Sequence, residues 1–127
     1  MKNEPRPKTL PPSMRDRGRY IVFEIISENP VEYQDFSDSL WNSITNFLGE
    51  FETADAQLRV LRNLYDSKSQ RGIIKCRHDM IEQVRTSIAM ISIIGESRAV
   101  VKVEGVTGTI KSARNKYLGM RDLRSYS

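Results

Sequence analysis

The residues best suited to chemistry are hydroxyl and cationic side chains near the C-terminal end of the chain. Thr107, Gly108 and Thr109 precede a short amphipathic segment that we predict to be a helix. Backbone N–H groups and the helix dipole favour a phosphate at such an N-terminus. Lys111 follows within the first turn, and Lys116 lies on the outward face. This pattern predicts contacts with phosphates. The alternative is that the threonines only cap the helix and the lysines are solvated.

Net charge is distributed unevenly along the 127 residues, which carry a formal charge of +4. Residues 1–19 hold six Lys or Arg against two acids, and residues 108–127 hold five against one. The segment between them is acidic, with nine Lys or Arg against thirteen Asp or Glu. Two basic flanks on an acidic body predict an anionic partner, because Lys and Arg gain most from closely spaced phosphates. Arg15, Arg17 and Arg19 are the candidate contacts in the first flank.

Other reactive side chains give weaker signals. Cys76 and His78 lie two residues apart, but no acid at a plausible spacing would orient the histidine, so we interpret them as an ordinary strand-end pair. One Cys and one His exclude a zinc site built from these residue types. Acid pairs such as Glu50/Glu52 and Asp35/Asp38 could bind a metal, but solvated helix and loop ends are the ordinary explanation. We therefore expect no catalytic residue, no metal ligand and no cofactor bound by the protein.

The cellular setting follows from composition. A single cysteine permits no internal disulfide and suits a reducing compartment. No apolar run approaches the ~20 residues of a membrane span, and the basic, Pro-rich start shows no secretory signal. We expect a cytoplasmic location and no membrane partner.

Domain organisation is indicated by proline placement. Four of the five prolines lie within the first twelve residues, which predicts an extended basic arm over residues 1–18. One α+β domain is predicted over residues 19–118, followed by a basic tail over residues 119–127.

Hydrophobic periodicity predicts the elements of this domain. Residues 20–26 form an apolar, β-branched run typical of a central strand buried on both faces. Asn29 and Pro30 are predicted to start a helix that ends at Gly49. Asp79 and Gly95 are predicted to bound a second helix. The other predicted elements are strands at residues 58–65, 71–77 and 99–103, the first two forming a hairpin, and a final helix at residues 108–118.

The element order β-α-β-β-α-β, with an extra C-terminal helix, is the ferredoxin-like arrangement shared with RRM domains. RNA readers of that class stack bases on strand aromatics, yet the third strand here has none. We therefore expect contact through charge and shape. The sheet face left uncovered by the helices would be a protein interface, with Val22, Val60, Ile74 and Val101 as candidate residues.

Several motifs resemble the ribonuclease P protein component 2 family. This family provides the small archaeal subunit and has a counterpart in eukaryotic ribonuclease P and the related mitochondrial-RNA-processing ribonuclease. The resemblance covers nearly the whole chain. Its most specific part is Gly-Thr-Ile-Lys at residues 108–111, although Thr107 stands where the family usually has Ser. The other matching residues are the Leu-Pro-Pro…Arg-Tyr-Ile stretch at 10–21, Glu24, Ser27, Gly105 and Val106.

The resemblance implies a protein subunit that supports a catalytic RNA in cleaving the 5′ leader from precursor tRNA. Catalysis and magnesium would then belong to the RNA. The implied partners are ribonuclease P RNA, a barrel-like subunit called component 3, other protein subunits and, indirectly, precursor tRNA. We expect the RNA backbone to meet Arg15, Arg17, Arg19, Thr107, Gly108, Thr109, Lys111 and Lys116.

Two alternatives remain open. One is a protein-interaction or scaffold module in an RNA–protein complex, without a direct effect on cleavage. The other is a small hydrolase on the same fold, of the acylphosphatase type. Such a hydrolase needs an Arg in a Gly-rich loop after the first strand, and residues 27–30 offer neither.

Overall fold

The computed structural model describes residues 18–118. Arg15, Arg17, nearly all of the predicted arm and the whole predicted tail lie outside the described residues. The strands in order are β1 (Gly18–Ser27), β2 (Arg59–Val60), β3 (Arg71–Arg77), β4 (Ile93–Ile94) and β5 (Ser97–Thr107). The α-helices are α1 (Tyr33–Leu48), α2 (Glu50–Asp55), α3 (Ile81–Ala89) and α4 (Ile110–Ala113). Two 3₁₀ turns (Arg62–Leu64 and His78–Met80) and a π-helical turn (Arg114–Leu118) complete the described chain.

The strands form one antiparallel sheet in the order β2-β3-β1-β5-β4. Without the short edge strand β4, this is the predicted ferredoxin-like sheet, so the fold class is confirmed. Alternation along β1 sends Ile21, Phe23 and Ile25 toward the helices and Tyr20 and Val22 toward the opposite face. All five are buried, as the nearly continuous apolar run predicts.

The main core lies between the sheet and the helices α1 and α3. Phe23 stacks on Phe36 of α1 with ring centroids 4.5 Å apart, and Gly72 of β3 lies against the same Phe23 ring. A smaller cluster on the other face is closed by α4, where fully buried Ala113 packs with Tyr20 and Val22. We call this second side of the sheet the open face, because among residues 18–118 it is covered only in part, by α4 with its flanking turns and by Leu61 and Leu64.

The predicted start of α1 is wrong, whereas Gly49 does follow the helix, with a φ of 85°. Asn29 does not cap the helix. Its side-chain amide donates to Ser97 Oγ at 2.8 Å, and the chain first buries Val31, whose N–H donates to Gln70 Oε1 at 2.7 Å. These tertiary contacts delay the helix until Tyr33.

The predicted boundaries of the second helix are also wrong. Asp79 makes no capping hydrogen bond, because its carboxylate accepts one from the Arg77 guanidinium at 2.6 Å. The helix α3 ends at Ala89. Gly95, at φ 62°, instead occupies the two-residue turn between β4 and β5, a hairpin position that favours positive φ.

Other elements also differ from the prediction. The hairpin of β2 and β3 is confirmed, but β2 keeps only two residues because a 3₁₀ turn follows Leu61. The strand β5 is longer than expected, because a bulge opposite Val22 and Phe23 lets its pairing with β1 continue to Thr107. The helix α2 was not predicted.

Candidate nucleic-acid interface

The predicted phosphate site at residues 107–109 is a locally hydrogen-bonded turn. Thr107 is only 7% exposed, and its hydroxyl donates to the Thr109 carbonyl at 2.9 Å. The Thr109 hydroxyl oxygen accepts from the Ser112 N–H at 3.0 Å, which caps α4. Gly108 is exposed, with nothing within 4 Å of where a Cβ would lie. Both hydroxyls therefore hold the turn together, as the capping alternative states.

The predicted cations fall on different sides of the sheet. Lys111 and Lys116 are exposed on the C-terminal helical segment, which packs on the open face. Arg19 lies directly opposite Cys76, whose side chain is in the main core. The Arg19 side chain therefore points to the helix side of the sheet. Its guanidinium is half-buried and donates to the Gly18 carbonyl at 2.9 Å. The structure thus places both lysines on one exposed helical segment, and Arg19 lies on the other side of the sheet.

The prediction that four apolar residues form an uncovered sheet surface is wrong. Ile74 and Val101 pair with Ile21 and Ile25, and residues opposite each other share a face, so both are buried under the helices. Val60 packs against the same core. Val22 does lie on the open face, but it is fully buried in the cluster closed by α4.

The open face instead exposes a different apolar group, which we call the far patch. Ile26 is 56% exposed and pairs directly with Val100, which is 61% exposed. Ile93 of β4 is 58% exposed and pairs with Arg98, on the same side of β5 as Val100. A nearly continuous apolar run hides which residues of a strand face outward, so the sequence did not predict this patch.

At the other end of the open face lies a groove that sequence reasoning also missed. It runs between the β2 region and α4 and has a volume of about 490 Å³. Its walls include Arg59, Leu61, Arg62, Leu64, Ile110 and Arg114. The available signal was the presence of three arginines in two segments, but nothing in the sequence shows that these segments meet.

Cys76 is not suited to nucleophilic chemistry. It is 1% exposed, and burial, with a smaller contribution from the Asp79 carboxylate, raises the pKa of its thiol to about 11. The thiol is therefore protonated at neutral pH, whereas the nucleophilic form is the thiolate. Within residues 18–118, no group of His, Cys, Asp and Glu side chains is arranged to hold a metal ion. No helix in this range is long and apolar enough to cross a membrane.

The described fold is similar to that of a chain in the cryo-EM structure of yeast ribonuclease MRP. The TM-score is 0.55 at 11% sequence identity, and the similarity covers 87% of this chain and 92% of the yeast-complex chain. At that identity, the likeness shows a shared fold.

Sequence comparison gives closer relatives. Ribonuclease P protein component 2 of Pyrococcus furiosus is 41% identical over 113 residues, covering 89% of this chain and 92% of the relative. The protein of the same name from Methanosarcina mazei is 39% identical over 111 residues, covering 87% and 92%. The family model described as Rpp14/Pop5 matches residues 19–118, from the first central strand to the end of the C-terminal helical segment. This chain belongs to the Rpp14/Pop5 family.

Proposed function

We propose that this chain is a protein subunit of ribonuclease P, which supports the catalytic RNA in removing the 5′ leader from precursor tRNA. The observation that carries the proposal is the match to curated archaeal relatives named ribonuclease P protein component 2, which extends over most of both chains. The chain would thus act in tRNA processing as part of a ribonucleoprotein.

The proposed partners are ribonuclease P RNA, the barrel-like component 3 and other protein subunits, with precursor tRNA met indirectly. Magnesium would be bound by the RNA. We also propose a cytoplasmic location, since a reducing compartment suits the buried Cys76 thiol.

Within this proposal, the exposed Lys111 and Lys116 contact the RNA backbone, and the basic arm with Arg15, Arg17 and Arg19 contacts an adjacent stretch. Two observations support the two lysines as RNA contacts. Both are exposed on one helical segment, and among residues 18–118 no carboxylate lies within 4.0 Å of either ammonium group. Thr107 and Thr109 would shape the turn, and Gly108 would let the RNA backbone approach closely.

The lysine contacts are tested by the salt dependence of binding to ribonuclease P RNA. Replacing Lys111 and Lys116 with Ala should weaken binding and reduce the slope of log affinity against log salt by about one unit per lost contact. Lys68→Ala with Arg85→Ala is the matched control, because both side chains are exposed elsewhere. An unchanged slope in the double lysine variant would show that these side chains are only solvated.

A second candidate function is a scaffold that binds proteins without affecting cleavage. The far patch of Ile26, Ile93 and Val100 favours it, because grouped exposed apolar side chains are typical of protein contacts. The two functions are separated by measuring assembly and cleavage on the same preparation.

A further inference from the structure

The groove beside α4 combines cationic side chains with an apolar floor. Arg59, Arg62 and Arg114 line it and are exposed, and no acidic residue is among its lining residues in the described chain. The other lining groups include Leu61 and Leu64, which pack against the smaller apolar cluster, and Ile110, which is 37% exposed. Such a site suits a ligand with both negative charge and a flat apolar surface.

The positive charges on the strands β2 and β3, beside the groove, indicate a site for an anion. Arg59 of β2 lies directly opposite Lys75 of β3, so two like charges share one face of the sheet. Such pairs destabilise a sheet unless something neutralises them. Among residues 18–118, no carboxylate lies within 4.0 Å of the charged nitrogens of either side chain. The Lys75 ammonium lies over the Tyr20 ring, with its nitrogen 5.6 Å from the centroid.

The guanidinium of Arg62 is stacked on an aromatic ring of α1. It lies over the Tyr33 ring, with its central carbon 5.1 Å from the ring centroid. A guanidinium stacked in this way keeps its N–H edges free to bind phosphate oxygens. Because Tyr33 belongs to α1, on the helix side of the sheet, this stacking places the guanidinium at the rim of the groove and does not orient it toward the interior.

We propose that this groove binds an unpaired nucleotide segment of RNA, with phosphates on Arg59, Arg62 and Arg114 and a base against Leu61, Leu64 and Ile110. A volume of about 490 Å³ is within the range of small-ligand sites and far too small for a duplex. In a duplex the bases are stacked inside, whereas a single strand can place a base on an apolar or guanidinium surface. The inference rests on the proposed function for its choice of RNA.

The test measures binding of a labelled uridine hexanucleotide to the full chain by fluorescence anisotropy. Replacing Arg59, Arg62 and Arg114 with Gln should weaken binding at least tenfold and reduce the salt slope by about two units, since each single-strand phosphate contact contributes roughly 0.7. The control variant carries Lys68→Gln, Arg85→Gln and Arg98→Gln, which remove the same charge from exposed positions elsewhere. The affinity of this control variant for the hexanucleotide should remain close to that of the unsubstituted chain.

A second variant tests the base contact. Ile110→Ser removes no charge, and we expect it to weaken hexanucleotide binding roughly fivefold while leaving binding to an RNA duplex unchanged. Circular dichroism on all variants checks that the fold is kept.

Two results would overturn the inference. One is equal loss of binding in the groove and control variants, which would leave only general charge attraction. The other is competition by a glutamate hexapeptide as effective as that of unlabelled hexanucleotide, which would make the groove a site for acidic protein segments. The same preparation is also assayed for activation of precursor-tRNA cleavage. If the chain activates cleavage but gives either of these results, the nucleotide site in the groove is refuted and the proposed function is not.

Discussion

Gly72 lies where the backbone of β3 passes the ring of Phe23. A Cβ there would be 2.8 Å from Phe23 Cζ, and the ring cannot move freely because it is fully buried and stacked on Phe36. We expect Gly72→Ala to lower the free energy of unfolding by about 1–3 kcal/mol, the usual cost of overpacking. Urea unfolding measures this.

The control for that substitution is Gly108→Ala. Nothing lies within 4 Å of a Cβ at Gly108, so its stability should change by less than about 0.5 kcal/mol. Equal stability of the Gly72→Ala variant and the unsubstituted chain would show that the ring of Phe23 yields without cost.

Cys76 gives a prediction about pH. Burial raises the pKa of its thiol from 9.0 to about 11, so the folded state keeps a proton that the unfolded chain releases. The corresponding stability is fully present below about pH 9 and is lost as the pH rises to about 11. We expect a Cys76→Ala variant to lack this part of the pH dependence.

Denaturant unfolding between pH 8 and pH 11 tests the thiol prediction. Burial and nearby acids also raise the pKa of Tyr65, to about 12, but both proteins keep that tyrosine, so the difference between their profiles isolates the thiol. Parallel profiles for the two proteins would contradict the prediction. Slow reaction of the folded thiol with a disulfide reagent at pH 8, and fast reaction after unfolding, is the accompanying expectation.

At the scale of the elements, α4 depends on its cap. The helix has four residues, so the hydrogen bond from the Ser112 N–H to the Thr109 hydroxyl is a large part of what holds it, together with the packing of Ala113. Thr109→Ala should cost about 1 kcal/mol, which corresponds to roughly fivefold faster amide exchange at residues 112–114, whose N–H groups are hydrogen-bonded.

The matched control for the cap is Thr86→Ala. Thr86 is exposed on α3 and makes no side-chain hydrogen bond within residues 18–118, so its substitution should leave exchange at residues 112–114 unchanged. Unaltered exchange in the Thr109→Ala variant would mean that packing alone keeps α4 on the sheet.

The elements show which features can be predicted from sequence. The apolar run of β1 and the end of α1 at Gly49 were correctly predicted, because each depends on neighbours in the chain. The capping role of Asn29 was not, because its side chain binds Ser97, which is 68 residues away in the chain. The capping role of Asp79 was also wrong, although its partner Arg77 is only two residues away. The strand β4 has two residues, too few for any periodicity to show.

The same distinction applies to the candidate site. Thr109 and Lys111 could be placed on one helical segment because they are close in sequence. The groove joins residues 59–64 with Ile110 and Arg114, about fifty residues later, and only the sheet brings them together. The outward residues of the open face were mispredicted, since an apolar run carries no information about strand phase.

At the scale of the whole molecule, the two ends of the open face have different chemistry. One end carries the far patch, with Ile26 and Val100 side by side. The other carries the arginine-lined groove and the exposed lysines of the C-terminal helical segment. This separation is compatible with one subunit that contacts protein and RNA at the same time.

The central claim is that this chain helps the RNA of ribonuclease P to cleave precursor tRNA. The most direct measurement is the cleavage rate of that RNA at limiting magnesium with component 3 present, in parallel reactions with and without this chain. We predict that adding the chain increases 5′ leader removal. An unchanged rate, while light scattering shows that the chain binds component 3 normally, would contradict the claim and leave the scaffold function in its place.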